Sequence, residues 1–177
     1  MLFTVRDYHP DDFDTIWAID QSCFDPEIAY SRCELRTYVR YPKAFTLIAE
    51  SAEIKAQSAT APMNNSSAED RLTTTTPTSA SSVLAFIVAE SSRGMGHIIT
   101  IDVRAAARRH HIGSALLETA ENRLRTAKCR AVRLETAVDN ASALSFYKRH
   151  GYDVIKVIPH YYSNGVDALL LEKNLLS

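Results

Sequence analysis

The sequence has few cysteines, no long apolar run and neither of the two common glycine-rich nucleotide motifs. It contains three cysteines, without a C-x-x-C pair and without histidines clustered at zinc-ligand spacing. We therefore expect free thiols in a reducing compartment, and no metal. No segment approaches the roughly 20 apolar residues of a membrane span, and the N-terminus has acidic residues where a signal peptide needs a basic start and an apolar run. These absences predict a cytoplasmic protein with no membrane partner.

A net charge is also nearly absent. Lys and Arg total 20 and Asp and Glu total 21, which gives a formal charge of −1. This balance argues against a protein that mainly coats nucleic acid, and we expect no direct nucleic-acid partner. The total combines two opposed regions, because residues 1–50 contain nine acids and five bases, whereas residues 104–133 contain eight bases and two acids.

The pattern of apolar residues predicts one α/β domain with a mixed sheet. The chain has 177 residues, of which 46% are hydrophobic and 23% charged, as in an ordinary globular domain. Seven segments have the length and composition of strands: 2–6, 44–50, 83–90, 97–103, 131–136, 152–158 and 167–172. Four segments have helical spacing: 10–24, 31–41, 112–124 and 140–150. The strand–helix–strand order between residues 97 and 136 is typical of a parallel crossover.

Residues 51–82 interrupt this pattern. They include seven Ser, six Thr and six Ala and no aromatic residue. So little apolar surface does not offset the entropy lost on ordering the segment. We interpret it as a flexible hairpin insertion without chemistry of its own, since a long loop adds little to the entropy of closure.

The segment RRHHIGSA, residues 108–115, joins a predicted strand to a predicted helix. The N–H groups at the start of a helix lack intrahelical partners, and the helix dipole favours an anion there. A phosphate or pyrophosphate site and a solvated basic helix face both fit this spacing. The Walker motif G-x-x-x-x-G-K-[ST] and the dinucleotide motif G-x-G-x-x-G are absent.

The segment RRHHIGSALL resembles the [RQ]-x-x-G-x-[GA] pyrophosphate loop of the GNAT superfamily of acetyl-CoA-dependent N-acetyltransferases. HIITIDV, LETAVDNASALSFYKRHGY and HYYSNGVDALLLEKNL follow the order of the branch that contains ribosomal-protein alanine N-acetyltransferases and related protein N-terminal acetyltransferases. The resemblance covers residues 96–175 closely and residues 1–50 more loosely. It implies a mostly antiparallel central sheet with a parallel splayed strand pair and flanking helices.

The resemblance also implies acetyl-CoA as co-substrate. The backbone around Ile101, Asp102 and Val103 would pair with the pantetheine amides, with Asp102 orienting a strand or loop. The residues expected to hold the pyrophosphate are Arg108, Arg109, His110, His111, Ile112, Gly113, Ser114 and Ala115, and Asn140 is expected near the cofactor. His111 stands where the family has glycine. Because histidine tolerates the left-handed conformation better than most residues, we expect cofactor binding to be retained.

Two residues match the family's catalytic positions. Glu135 matches a glutamate that acts as general base through water, and Tyr147 matches a tyrosine that protonates the leaving thiolate. Acetyl transfer from a thioester to an amine needs both functions, because the attacking amine loses a proton and the sulfur gains one. From the residues alone, Glu135 is a solvated strand residue and Tyr147 is a packing aromatic with a satisfied hydroxyl, so the catalytic roles come from the resemblance.

The resemblance places the peptide substrate between Phe24 and Tyr30 on one side and Tyr161 and Tyr162 on the other. The expected substrate is the N-terminal α-amine of a protein, an alanine or similar small residue of a ribosomal protein. Two alternatives stay open. The same fold acetylates lysine side chains or small-molecule amines, and the His111 departure is compatible with a noncatalytic coenzyme A-binding module.

Overall fold

The computed structural model describes residues 1–52 and 82–176. The insertion that the sequence predicts over residues 51–82 therefore lies almost entirely outside the described residues. Ser51 is an exception, because it forms the last residue of a strand and pairs with Phe3. The three cysteines are free thiols. Among the described helices, none has both the length and the apolar character needed to cross a membrane.

The described elements agree with the predicted order of strands and helices. They are β1 (Phe3–Asp7), α1 (Phe13–Cys23), α2 (Arg32–Val39), β2 (Ala44–Ser51), β3 (Val83–Ser92), β4 (Met95–Val103), α3 (Ile112–Thr126), β5 (Ala131–Ala137), α4 (Ala141–Arg149), β6 (Asp153–Ile158) and β7 (Ala168–Asn174). Short 3-10 turns at Pro10–Asp12 and Ala105–Ala107 precede α1 and α3. The helix predicted over 31–41 is shorter than expected, because Ser31 is its N-cap and the helix ends at Val39.

The strands form one seven-stranded sheet in the order β1-β2-β3-β4-β5-β7-β6. Neighbouring strands are antiparallel except β4 and β5, which are parallel. The helix α3 connects these two parallel strands, as a crossover must. The expected mixed, mostly antiparallel sheet with flanking helices is confirmed.

The parallel pair separates soon after it starts. Residues 95–97 of β4 pair with residues 131–133 of β5, and no pairing follows although β4 runs on to Val103. In the register with β3, Val88 lies opposite Thr100 and Ala89 opposite Ile98, so Ile99 is an extra residue in β4. Such a bulge bends and twists its strand. It lies immediately after the last parallel pair, and the splayed pair implied by the resemblance is confirmed.

Each face of the sheet carries its own apolar cluster. On one face, α3 buries a stripe that includes Ile112, Leu116 and Leu124 against strand residues such as Leu47. On the other face, α1 and α2 pack against the neighbouring residue Ile48 and its cluster. Successive side chains of a strand point to opposite faces, so β2 contributes to both clusters. The helices α1 and α3 therefore lie on opposite sides of the diverging strands.

Candidate functional site

The gap between β4 and β5 is the main irregularity of the sheet. Beyond residues 97 and 133 the two strands continue without pairing to each other. Backbone N–H and C=O groups inside a sheet need partners, so the open edges offer donors and acceptors to a bound molecule. An extended ligand that carries amide groups can supply these partners. The gap therefore fits the pantetheine arm that the resemblance implies.

The basic loop, residues 104–111, follows β4 and leads into α3. Arg108, Arg109, His110 and His111 are all exposed. His111 is the N-cap of α3, and its side chain makes no capping hydrogen bond. The first N–H groups of the helix, at residues 112–114, are therefore free of a side-chain cap and can bind an anion. Exposed cations and free helical N–H groups together suit a pyrophosphate.

The backbone of the basic loop is left-handed at two residues. Arg109 has φ +63° and His111 has φ +61°. The second is the position where the family has glycine, and its conformation explains that preference, because only glycine takes this conformation without steric cost. The chain therefore keeps the loop path that a glycine would give, but with a β-carbon and an imidazole on it.

At the start of α3, some polar groups of the predicted pyrophosphate residues are already in use. Ala115 donates its N–H to the carbonyl of His111 at 3.0 Å, so this group belongs to the helix and is not free for a phosphate. The Ser114 hydroxyl is 3.0 Å from His150 Nε2, and His150 Nδ1 is 2.8 Å from the Phe146 carbonyl oxygen. A carbonyl oxygen only accepts, so Nδ1 carries the hydrogen and Nε2 accepts from Ser114. The Ser114 side chain is therefore used to join α3 to α4.

At the end of β4, one backbone group of the stretch predicted to pair with pantetheine is already in use. The Val103 carbonyl oxygen accepts from Arg108 Nε at 3.1 Å and from Cys23 Sγ at 3.5 Å. It is therefore already partnered and is not open to a pantetheine amide, which leaves Ile101 and the backbone of Asp102 as the open part of the predicted stretch. The Asp102 side chain is 1% exposed and accepts a hydrogen bond from the Thr100 hydroxyl.

Glu135 lies on β5 at the mouth of the gap and forms an ion pair that the sequence reading did not include. Its Oε2 is 2.7 Å from His97 Nε2 of β4. Glu90 of β3 lies on the other side of the imidazole, with Oε1 3.8 Å from His97 Nδ1. The hydrogen bond with Glu135 raises the pKa of His97, and burial acts in the opposite direction. These three side chains could take up a proton at the mouth of the gap.

Tyr147 is on α4, with 6% of its surface exposed. Its ring packs edge-on against Phe146 and Tyr152, with centroids 5.2 and 5.5 Å away. Burial is the main cause that raises the pKa of its hydroxyl, and the nearby Asp102 and Tyr162 contribute to the rise. The hydroxyl is therefore protonated at neutral pH and can act as a proton donor.

The predicted substrate residues lie on two loops. Tyr30 lies near the end of the α1–α2 loop, residues 24–31. Tyr161 and Tyr162 lie in the β6–β7 loop, residues 159–167. Burial raises the pKa of Tyr162 to about 12, and the charges of Tyr161 and Glu135 contribute to the rise. The Tyr30 hydroxyl donates to the Ile99 carbonyl oxygen at 3.4 Å, which ties the first loop to the bulge.

Two other predicted residues have simpler surroundings. Asn140 is exposed, and its Oδ1 accepts from the N–H of Ala143 at 3.0 Å, so its visible role is to cap α4. Phe24 is half-buried at the start of the α1–α2 loop and belongs to neither apolar cluster. Within residues 1–52 and 82–176, no group of three or more His, Cys, Asp or Glu side chains could hold a metal ion.

Comparison with known families identifies the domain. Residues 68–152, which include the basic loop, Glu135 and Tyr147, match the family model described as "Acetyltransferase (GNAT) family". This part of the chain belongs to the GNAT family. The family model and the resemblance read from the sequence thus agree, and the open strand pair and the basic loop lie within the matched part of the GNAT domain.

Curated relatives of this GNAT chain match over about half of its length. "Uncharacterized N-acetyltransferase MJ1530" of Methanocaldococcus jannaschii is 41% identical over 92 residues, which cover 51% of this chain and 59% of that protein. An "N-alpha-acetyltransferase" of Sulfurisphaera tokodaii is 38% identical over 77 residues, 43% of this chain and 46% of that protein. The matches thus span less than two thirds of either relative.

The fold of the GNAT chain is shared with solved structures over its whole length. The crystal structure of Ard1 from Thermoplasma volcanium superposes with a TM-score of 0.76 at 24% identity and covers 100% of both chains. At this identity the likeness establishes the fold alone.

The left-handed His111 generates a stability prediction. We expect His111→Gly to raise the free energy of unfolding by about 0.5–1 kcal/mol, because relief of the left-handed strain exceeds the added entropy of the unfolded chain. Urea denaturation measures the change. His110→Gly is the matched control, because His110 lies in the same loop and is not left-handed, so glycine there should lower stability. A destabilised His111→Gly variant would contradict the argument.

The ion pair at the mouth of the gap generates a second prediction. Glu135→Gln removes the carboxylate that stabilises the imidazolium, so the pKa of His97 should fall, and less of the imidazole should be protonated at neutral pH. Titration of the His97 ring protons by NMR measures this shift. Glu90→Gln is the control and should lower the pKa less, since Glu90 is 3.8 Å from the ring rather than 2.7 Å. Equal shifts in both variants would show that Glu135 is not the main partner.

Proposed function

We propose that this protein transfers the acetyl group of acetyl-CoA to the N-terminal α-amine of a protein. One observation carries the proposal. The parallel strands diverge beside the uncapped start of α3, Glu135 and His97 form an ion pair next to the last parallel residues, and Tyr147 is buried on α4 in the apolar cluster that includes residues of α3 and β5. A proton acceptor and a proton donor thus flank a single channel, as transfer from a thioester to an amine requires.

Acetyl-CoA fits the residues that surround this channel. The free N–H groups of residues 112–114, with Arg108 and Arg109, would hold its pyrophosphate. The open edge of β4 at Ile101 would pair with its pantetheine amides. A β-carbon built on Gly113 comes no closer than 3.6 Å to any neighbouring atom of the protein, so packing inside the chain does not require glycine there. When bound, acetyl-CoA supplies the acetyl thioester.

The two proton transfers fall to different residues. Glu135, hydrogen-bonded to His97, accepts the proton that the amine loses on attack, directly or through water. Tyr147 donates its hydroxyl proton to the departing sulfur. Because Glu135 is partly exposed and Tyr147 is buried, the base can exchange protons with solvent, whereas the acid is shielded from it.

An α-amine suits this weak base better than a lysine. An α-amino group with a pKa near 8 is roughly 10% neutral at pH 7, whereas a lysine with a pKa near 10.4 is neutral about 0.04% of the time. The Ser163 hydroxyl of the β6–β7 loop donates to the Glu27 carbonyl oxygen of the α1–α2 loop. This contact joins the two loops that are proposed to bind the substrate. Loops joined in this way favour a narrow acceptor, such as the end of a peptide chain. The Sulfurisphaera tokodaii relative also carries the name N-alpha-acetyltransferase.

The finer parts of the proposal rest on the sequence resemblance. They are an alanine or similar small first residue, a ribosomal protein as substrate and a cytoplasmic location. The free thiols Cys23, Cys33 and Cys129 suit that location, because reducing compartments keep cysteines unpaired. Mass spectrometry of protein N-termini in cells that lack this protein would identify the substrate directly.

Tyr147→Phe tests the proposed acid. The variant should lower kcat by about 10²-fold or more, because it removes the proton donor, while calorimetry should show little change in the Kd for acetyl-CoA. Tyr41→Phe is the matched control, because this tyrosine is exposed and has no proposed role in the reaction. An unchanged kcat would remove Tyr147 from the mechanism. A wild-type chain that gives no heat with acetyl-CoA would overturn the proposed function altogether.

A peptide panel tests the proposed acceptor. One peptide has a free N-terminal alanine and no lysine, a second has a blocked N-terminus and one internal lysine, and a third is blocked and lacks lysine as control. We expect acetylation of the first peptide alone, because its amine is neutral far more often at pH 7. Activity confined to the second peptide would show a lysine acetyltransferase instead.

A further inference from the structure

The strand β6 forms one edge of the sheet, and residues 153–157 of this strand are all exposed. It pairs with β7 on one side, and no described strand pairs with its other side. Val154, Ile155 and Val157 are 39%, 52% and 51% exposed. An edge strand presents unpaired backbone N–H and C=O groups, and exposed apolar side chains beside such an edge favour pairing with a further strand. The reaction proposed above gives this edge no role.

Two residues of β6 with opposite charges lie on the same face of the sheet. Asp153 pairs with Glu172 of β7, and Lys156 pairs with Leu170. Residues two positions apart on a strand point to the same face, so Asp153 and Lys156 share the face of Glu172 and Leu170. This arrangement results from a bulge, because Ile155 is an extra residue without a partner on β7.

Two valines of the strand lie on the opposite face. Val154 pairs with Leu171 and Val157 pairs with Leu169. Leu171 belongs to the apolar cluster that includes residues of α3, and Leu169 packs against it. The edge therefore has a charged face and an apolar face, and both are open to solvent.

The carboxylate of Asp153 lies next to a like charge. Its pairing partner Glu172 is also an acid, and like charges directly opposite each other destabilise a sheet. The cation that binds Glu172 is Arg133 of β5, on the side of β7 away from β6. Within residues 1–52 and 82–176, neither Asp153 nor Lys156 forms an ion pair. A cation supplied from beyond the edge would offset the repulsion at Asp153.

A second copy of the same strand supplies that cation. Two β6 strands can pair in antiparallel fashion about a two-fold axis between residues 154 and 155. Residue 153 of one copy then lies opposite residue 156 of the other, because a two-fold interface is self-complementary. Each Asp153 thus faces a Lys156, and two opposite-charge pairs form on one face. The exposed Val154 and Ile155 of both copies meet at the axis and bury apolar surface.

We propose that this protein forms a two-fold dimer in which the β6 edges of two copies pair and continue the sheet. The pairing is selective. A strand that offers no acid opposite Lys156 would leave this lysine unpaired, and a lysine and a bulge are features that keep other strands from an edge. Because β6 leads into the β6–β7 loop, the dimer also fixes the strand from which a proposed substrate loop starts. The proposal does not depend on the reaction.

Charge reversal tests the proposed pairing. Sedimentation velocity on the full wild-type chain should show a concentration-dependent dimer. D153K and K156D each place like charges opposite each other at two positions of the interface, so each should raise the dimer Kd about tenfold or more. Lys148→Asp is the matched control, because this exposed lysine lies on α4 and outside the edge, and it should leave the Kd unchanged.

A mixture of the two variants separates a lost contact from a damaged fold. An equimolar mixture of D153K and K156D again forms two opposite-charge pairs per interface, so heterodimers should appear with about the wild-type affinity. A misfolded variant could not produce this recovery. A wild-type chain that stays monomeric at about 0.1 mM would overturn the proposal. A mixture without heterodimers, or a K156D variant that dimerises as tightly as K148D, would also overturn it.

Discussion

The bulge at Ile99 is the constraint on which the rest of the site depends. A regular β4 would continue to pair with β5, and its backbone groups would be satisfied inside the sheet. The extra residue turns the strand away immediately after His97, the last residue in parallel register. This opens the sheet without exposing its core, since each face keeps its own helices. The Tyr30 hydroxyl bonds the Ile99 carbonyl oxygen, so the same bulge also fixes the end of the α1–α2 loop.

The polarity of the site follows from this opening. At its mouth Glu135 and His97 remain partly exposed and form an ion pair, an environment that favours charged states. Further in, Tyr147 and Asp102 are buried, an environment that favours neutral states. A reaction that needs one proton acceptor and one proton donor at the same pH benefits from two such environments side by side. Exposure thus separates the residue proposed as base from the residue proposed as acid.

The sequence predicted the elements better than their contacts. The spacing of Ile112, Leu116 and Leu124 gave the buried stripe of α3, because helical periodicity is local. The pair of His97 and Glu135 could not be found this way, since the residues are 38 positions apart and meet only through the parallel register of two strands. The sequence feature that could have indicated this pair is a histidine near the start of a strand rich in β-branched residues.

Two residues predicted to contact the cofactor each have one backbone group that is already in use. The Val103 carbonyl is taken by Arg108 and Cys23, and the Ala115 N–H is taken by the helix. A motif identifies which residues lie in a loop but not which of their donors and acceptors remain free. That depends on chain segments far away, such as the end of α1.

The end of α1 links the two halves of the site. Cys23 donates to the end of β4 and lies 3.8 Å from Arg108 Nη2, whereas Asp20, one turn earlier, holds the N–H of Tyr30. One helix end is therefore bonded both to the basic loop and to the loop proposed to receive the peptide. A shift of either loop must therefore move α1 or break these contacts.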